Sequence, residues 1–131
     1  MDRKTILLDG NTFSTLSSFY NAVEKTMTKG LNPHMGRNLN AFNDVLRGGF
    51  GIHEYEEPVR LIWLHSDKSR KNLEWQETVK YCSAKLKTCH PSNFESVKKD
   101  LALAERHIGK TLFELIVDII KKHEHIELAL Q

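Results

Sequence analysis

Three short apolar runs, with helical stretches between them, constrain the fold more than any other feature of this sequence. The first is Lys4 to Leu8, with the β-branched start Thr5-Ile6 and a turn at Asp9-Gly10. The second, Val59 to Leu64, reads Val-Arg-Leu-Ile-Trp-Leu and has the character of an internal strand. The third is Ile126 to Leu130. Strands separated by helices pair in parallel through crossovers, since a tight hairpin cannot join them. The expected fold class is therefore α/β: a three-stranded parallel β-sheet packed with helices.

The segments between the strands carry helical periodicity. A first helix should start near Ser17 as its N-cap and bury Phe19, Val23 and Met27. Gly30, Asn32 and Pro33 end it in a loop running from Lys29 to Arg37. A second helix should start at Asn38, turn Leu39, Phe42, Val45 and Leu46 inward, and stop at Gly48-Gly49. Phe50 to Pro58 is a loop with Glu54, Glu56 and Glu57, and Ser66 to Leu73 a short polar helix. Two further stripes follow, Trp75/Val79/Cys82/Leu86/Cys89 and Phe94/Val97/Leu101/Ala104/Ile108. They need a surface to cover, so a helical hairpin packed on the domain is expected over about residues 74–110. Ser92 with Glu95 and Thr111 with Glu114 have the spacing of capping boxes. The last helix, Leu112 to Lys122, is apolar around most of its circumference and should be largely buried.

Composition narrows the function classes. A chain of 131 residues is one domain by size, 1–131, and can bury a core without disulfides. Cys82 and Cys89 lie two helical turns apart, roughly 10 Å, too far for a disulfide, so buried thiols are expected. No apolar run approaches the ~20 residues that span a bilayer, and Met1-Asp2-Arg3-Lys4 opens no signal-peptide pattern. The expected location is the cytoplasm. A net charge of +2 is too small to argue for nucleic acid by itself. The chain has no Gly-rich phosphate loop, no nucleophile elbow and no acid–base pair at useful spacing, so neither an enzyme nor a cofactor is expected. His123-Glu124-His125 sets two imidazoles close together, but no third ligand has metal-site spacing.

What remains is a surface. With Leu39, Phe42 and Leu46 inward, Asn40, Asp44 and Arg47 share the opposite side of the second helix at i, i+4 and i+7. The segment His34 to Gly51 contains Gly36-Arg37-Asn38-Leu39-Asn40-Ala41, followed by Asp44. It resembles the inhibitory loop and second helix of the barstar family, whose pattern is Gly-x-Asn-Leu-(Asp/Asn)-Ala with an acidic residue four positions on. The order of the flanking elements agrees over residues 4–73 and 111–130.

The resemblance implies a cytoplasmic, non-catalytic inhibitor that plugs the active site of a ribonuclease. It would be an immunity protein or antitoxin, for instance against a toxin passed between cells in contact-dependent growth inhibition. The implied toxin-binding residues are His34, Gly36, Arg37, Asn38, Asn40, Asn43, Asp44 and Arg47, with Asp118 from the last helix. The implied complex is one-to-one with a chain that is monomeric when free, without metal, direct nucleic acid or membrane. The sequence departs from the family's type member at Asn40 and Arg37, where that member is acidic, and at Asn43, where it has a large aromatic. Residues 74–110 read as an insertion. The rival reading is an RNA-binding regulator using the basic surface of the inserted helices.

Overall fold

Apolar residues recur at every second position along the three runs, and each run forms a strand: β1 (Lys4–Asp9), β2 (Val59–Leu64) and β3 (Ile126–Leu130). The computed structural model describes residues 3–28, 36–48 and 53–131. The strands pair in parallel in the order β1-β2-β3, with Leu61 beside Ile6 on one side and Leu128 on the other. The two-residue period puts Ile6, Leu8, Val59, Leu61, Trp63 and Ile126 on the buried face. Leu7, on the other face, is 53% exposed.

Six α-helices accompany the sheet among the described residues: α1 (Leu16–Met27), α2 (Leu39–Arg47), α3 (Ser66–Asn72), α4 (Trp75–Thr88), α5 (Phe94–Glu105) and α6 (Leu112–Lys121). The core is aromatic where α1, α2 and α6 meet the sheet. Phe19 stacks on Trp63 and meets Phe42 edge-on at 5.2 Å, while Trp63 lies 5.0 Å from Phe113. Such edge and stacked pairs add to the burial of large apolar areas. The indole N–H of Trp63 is satisfied by Ser69 Oγ at 2.9 Å, which ties α3 to β2. Leu112, Phe113, Ile116, Val117 and Ile120 are buried, as the apolar circumference of α6 requires.

Two helix starts differ from the sequence expectation. α1 is capped by Thr15, not Ser17. Thr15 Oγ1 accepts from the Ser18 N–H at 3.1 Å, and Ser18 Oγ accepts from the Thr15 N–H at 2.9 Å. That reciprocal box satisfies two orphan donors where a lone serine cap satisfies one. The expected box at Ser92 and Glu95 does not form. His90 Nδ1 takes the Ser92 N–H instead, Pro91–Asn93 wind into a 3-10 turn, and α5 starts at Phe94. Thr111 and Glu114 do form their box at the start of α6.

α4 and α5 pack on each other as a helical pair. The pair is bound to the rest of the fold by hydrogen bonds that cap other helices. Glu77 Oε2 accepts from the Leu16 N–H at 3.1 Å, and Thr78 Oγ1 accepts from the Leu112 N–H at 2.7 Å. α4 therefore completes the N-termini of both α1 and α6. The two apolar stripes bury less than their pattern suggests. Cys82, Val97 and Ala104 are buried, but Trp75, Val79, Leu86, Cys89 and Leu101 are half-buried, and Phe94 and Ile108 are exposed. The pair meets the domain at the first turn of α4, while Phe94 at the start of α5 and Ile108 just past its end face solvent. Trp75 covers its indole by stacking on the His107 ring at 5.3 Å. Both cysteines are free, and burial pushes the Cys82 thiol up.

Candidate functional site

α2 forms where its sequence says it should. Asn38 Oδ1 caps it, accepting from the Ala41 N–H at 2.7 Å. Phe42, Val45 and Leu46 are buried and Leu39 is half-buried, so Asn40, Asp44 and Arg47 are left together on the exposed side. Arg47 Nη1 lies 3.6 Å from Asp44 Oδ1, one turn away, with both side chains about half in solvent or more. Gly36 sits just before the helix. A Cβ there would lie 3.2 Å from the Ala41 Cβ, so glycine keeps the junction tight against α2. Arg37 turns toward α1, where its Nη2 donates to Asn21 Oδ1 at 2.6 Å and lies 3.3 Å from Glu24 Oε2. His34, most of the loop before Gly36, and Gly49 lie outside the described residues.

The C-terminus of α2 is anchored from below. Gly48 ends the helix at φ +101°, and the Glu56 N–H donates to the Arg47 carbonyl at 2.5 Å. This seats the turn 54–57 beside the exposed face. Glu57 Oε1 accepts from the Glu54 N–H and lies near Lys4, so that carboxyl is held below its ordinary range, first by the backbone donor. Glu54, Tyr55 and Glu56 are exposed on the same turn. Beneath the helix, His53 Nε2 and His125 Nε2 both donate to the Leu46 carbonyl, at 3.1 and 2.8 Å. His123 Nε2 donates to Asn43 Oδ1 at 2.7 Å, so Asn43 is half-buried and held from below. The Nε2 atoms of His123 and His125 therefore face oxygens of α2, and no group of three candidate metal ligands occurs among the described residues.

His123 is pushed below its ordinary pKa of 6.5, chiefly by burial and then by His125 and Arg47, against a smaller opposing effect of Glu56. A group whose folded pKa is depressed contributes stability above its unfolded pKa and loses it as pH falls. The melting temperature should therefore fall between about pH 7.5 and 5.5, the range in which histidine titrates. His123→Gln, which keeps an N–H for Asn43, should flatten part of that slope. Identical slopes in parent and variant would remove His123 as the cause.

Asp118 is half-buried on α6 and ion-paired with Lys110, whose amine is raised by that bond. Asn40 and Asp118 line one cleft, of about 830 Å³, between α2, α6 and the α4–α5 pair. Asp44 and Arg47 lie outside it, one turn or more further along α2. The structure thus groups Asn40, Asp44 and Arg47, brings Asp118 to the same cleft as Asn40, and engages Arg37 and Asn43 internally. Sequence reasoning missed His53 as an anchor of α2, because a loop histidine has no periodicity. It also missed the Lys110–Asp118 pair, whose partners are eight residues apart, one just before the start of α6 and the other two turns into it.

The family model of barstar, the barnase inhibitor, matches residues 3–119. The chain belongs to the barstar family. No curated protein matches it. Barstar-family proteins are ribonuclease inhibitors and not enzymes, and this chain is a ribonuclease-inhibitor-like member. Its three-stranded parallel sheet and helices are a barstar-like α/β fold. In this barstar-family chain, the match runs through both α2 and the α4–α5 pair. No helix among the described residues is long and apolar enough to cross a membrane.

Proposed function

We propose that this barstar-family chain is an immunity protein or antitoxin that blocks the active site of a cognate ribonuclease toxin, in a one-to-one complex. The observation that carries the reading is the Asp44 carboxylate, 62% exposed on a helix pinned at both ends. A ribonuclease site gathers Arg, Lys and His around a phosphate. A carboxylate on a rigid helix can take the phosphate's place and accept charge-assisted hydrogen bonds, with little ordering cost on the inhibitor's side.

In this reading Asn40 and Arg47 flank the carboxylate. Gly36, Arg37 and Asn38 shape the junction, Asn43 borders it, His34 is assigned as a toxin contact from the family resemblance alone, and Asp118 adds a second acid. The chain acts as a single domain, 1–131, in which 74–110 is a helical addition to the family's core. It works in the cytoplasm, where a ribonuclease does its damage, as a monomer when free, and needs no metal, cofactor, nucleic acid or membrane.

The test mixes the purified chain with a candidate ribonuclease drawn from the genes flanking its own and follows cleavage of labelled RNA. Cleavage should stop at one equivalent of inhibitor, and the chain alone should cleave nothing from about pH 5 to 9, where histidine chemistry would show. Cleavage that persists in excess inhibitor, or turnover by the chain itself, would overturn the proposal.

A further inference from the structure

The cleft between α2, α6 and the α4–α5 pair has the wrong charge for the partner that Asp44 suits. Four lysines line it, Lys85, Lys110, Lys121 and Lys122, against two aspartates, Asp100 and Asp118. One of those acids is already paired with Lys110. The cleft is also partly apolar, and Ile108 on its rim is 46% exposed. It begins at Asn40, one turn before Asp44, so a protein that covers the outer side of α2 extends over it.

We propose that this cleft seats an acidic, partly apolar segment of the same ribonuclease, and that its lysines set which ribonuclease the chain accepts. The proposal rests on the reading that α2 binds the enzyme. The bound enzyme then presents alternating charge: cations to Asp44, and carboxylates to Lys85, Lys121 and Lys122 of the cleft, where Asp118 is paired with Lys110. Such a pattern steers the correct partner and repels a ribonuclease that is basic throughout, because like charges brought together across an interface oppose binding. It also accounts for an inhibitor with a net charge of +2. A peptide-like occupant suits the cleft better than RNA does. The one tyrosine on its wall, Tyr81, has the Lys85 amine over its ring at 5.7 Å, and the two aspartates repel a phosphate backbone.

The experiment measures binding of an inactive variant of the ribonuclease that the chain inhibits in the cleavage assay above. The variants are Lys85→Glu/Lys122→Glu, Ile108→Ser and Asp44→Ala, each with its melting temperature. The lysine double variant should bind at least about tenfold more weakly at low salt, mainly through slower association, and the gap should narrow as salt rises. Ile108→Ser should bind several-fold more weakly at any salt. Ile108 is exposed, so this variant keeps its fold if the charge reversals do not.

Parent-like binding by both cleft variants, with Asp44→Ala weakened, would overturn the cleft while leaving the α2 reading intact. Weak cleft variants with a parent-like Asp44→Ala would keep the cleft and remove the α2 reading. Parent-like binding by all three would remove both. Salt-dependent retention of a single-stranded RNA oligonucleotide, lost in the lysine double variant, would overturn a protein occupant.

Discussion

Gly48→Ala should lower the melting temperature by roughly 10 °C or more, the cost of about 3–5 kcal/mol in a domain of this size. Gly48 closes α2 at φ +101°, where an L side chain is strained by about 1–3 kcal/mol. A Cβ there would also stand 2.1 Å from the Glu54 carbonyl oxygen, which is backbone and cannot swing aside. The turn 54–57 would have to move. With it would go the Glu56 N–H bond to Arg47 and the His53 bond to the Leu46 carbonyl, each worth about 1 kcal/mol net. Gly109 provides the comparison. Its φ is +93°, but a Cβ there would meet nothing within 4 Å. Gly109→Ala should therefore cost only the backbone strain, about 1 kcal/mol or a little more. Thermal melts of the two variants test this. Equal, small shifts would mean that the turn is not seated on the helix end in the way described.

The fold was legible in the sequence wherever one pattern had a single physical outcome. Three apolar runs separated by helices leave parallel pairing as the arrangement, and β2 is indeed the central strand. The stripe Phe42, Val45, Leu46 faces inward and strands Asn40, Asp44 and Arg47 outside. Legibility failed where two local devices competed. Ser17 and Thr15 are both good caps, and only the partner at Ser18 decides between them. Ser92 had a capping spacing, but the neighbouring His90 ring took its N–H. The stripes of α4 and α5 gave the right pairing and overstated the burial, since periodicity reports which side faces in and not how far the partner surface extends. The site followed the same division. Its helix face follows from periodicity. The imidazoles beneath it come from two separate places in the sequence, residue 53 and residues 123–125, and no spacing rule brings His53 to Leu46.

Asp44→Ala should bind the cognate ribonuclease far more weakly while folding as the parent does. The carboxylate is mostly in solvent, and it is ion-paired with Arg47 on the same helix. An exposed pair of this kind contributes about 0–1 kcal/mol to folding, and alanine is the better helix former. In the complex the carboxylate would lie among desolvated cations. Truncating one partner of such a pair costs about 2–5 kcal/mol, a range set by measured interfaces that include this family's type complex. That is a roughly 30-fold to several-thousand-fold rise in Kd, carried mainly by faster dissociation. Asp118→Ala should lose less, because Lys110 already competes for that carboxylate. Asp67, exposed on α3, serves as a control that should change neither binding nor melting.

The most direct measurement is therefore the dissociation constant and dissociation rate of Asp44→Ala and parent against the inactive ribonuclease, with both melting temperatures recorded. Unchanged melting and a rise in Kd of about 30-fold or more are expected, from about 2 kcal/mol or more of lost binding free energy. Parent-like affinity in a folded Asp44→Ala would contradict this.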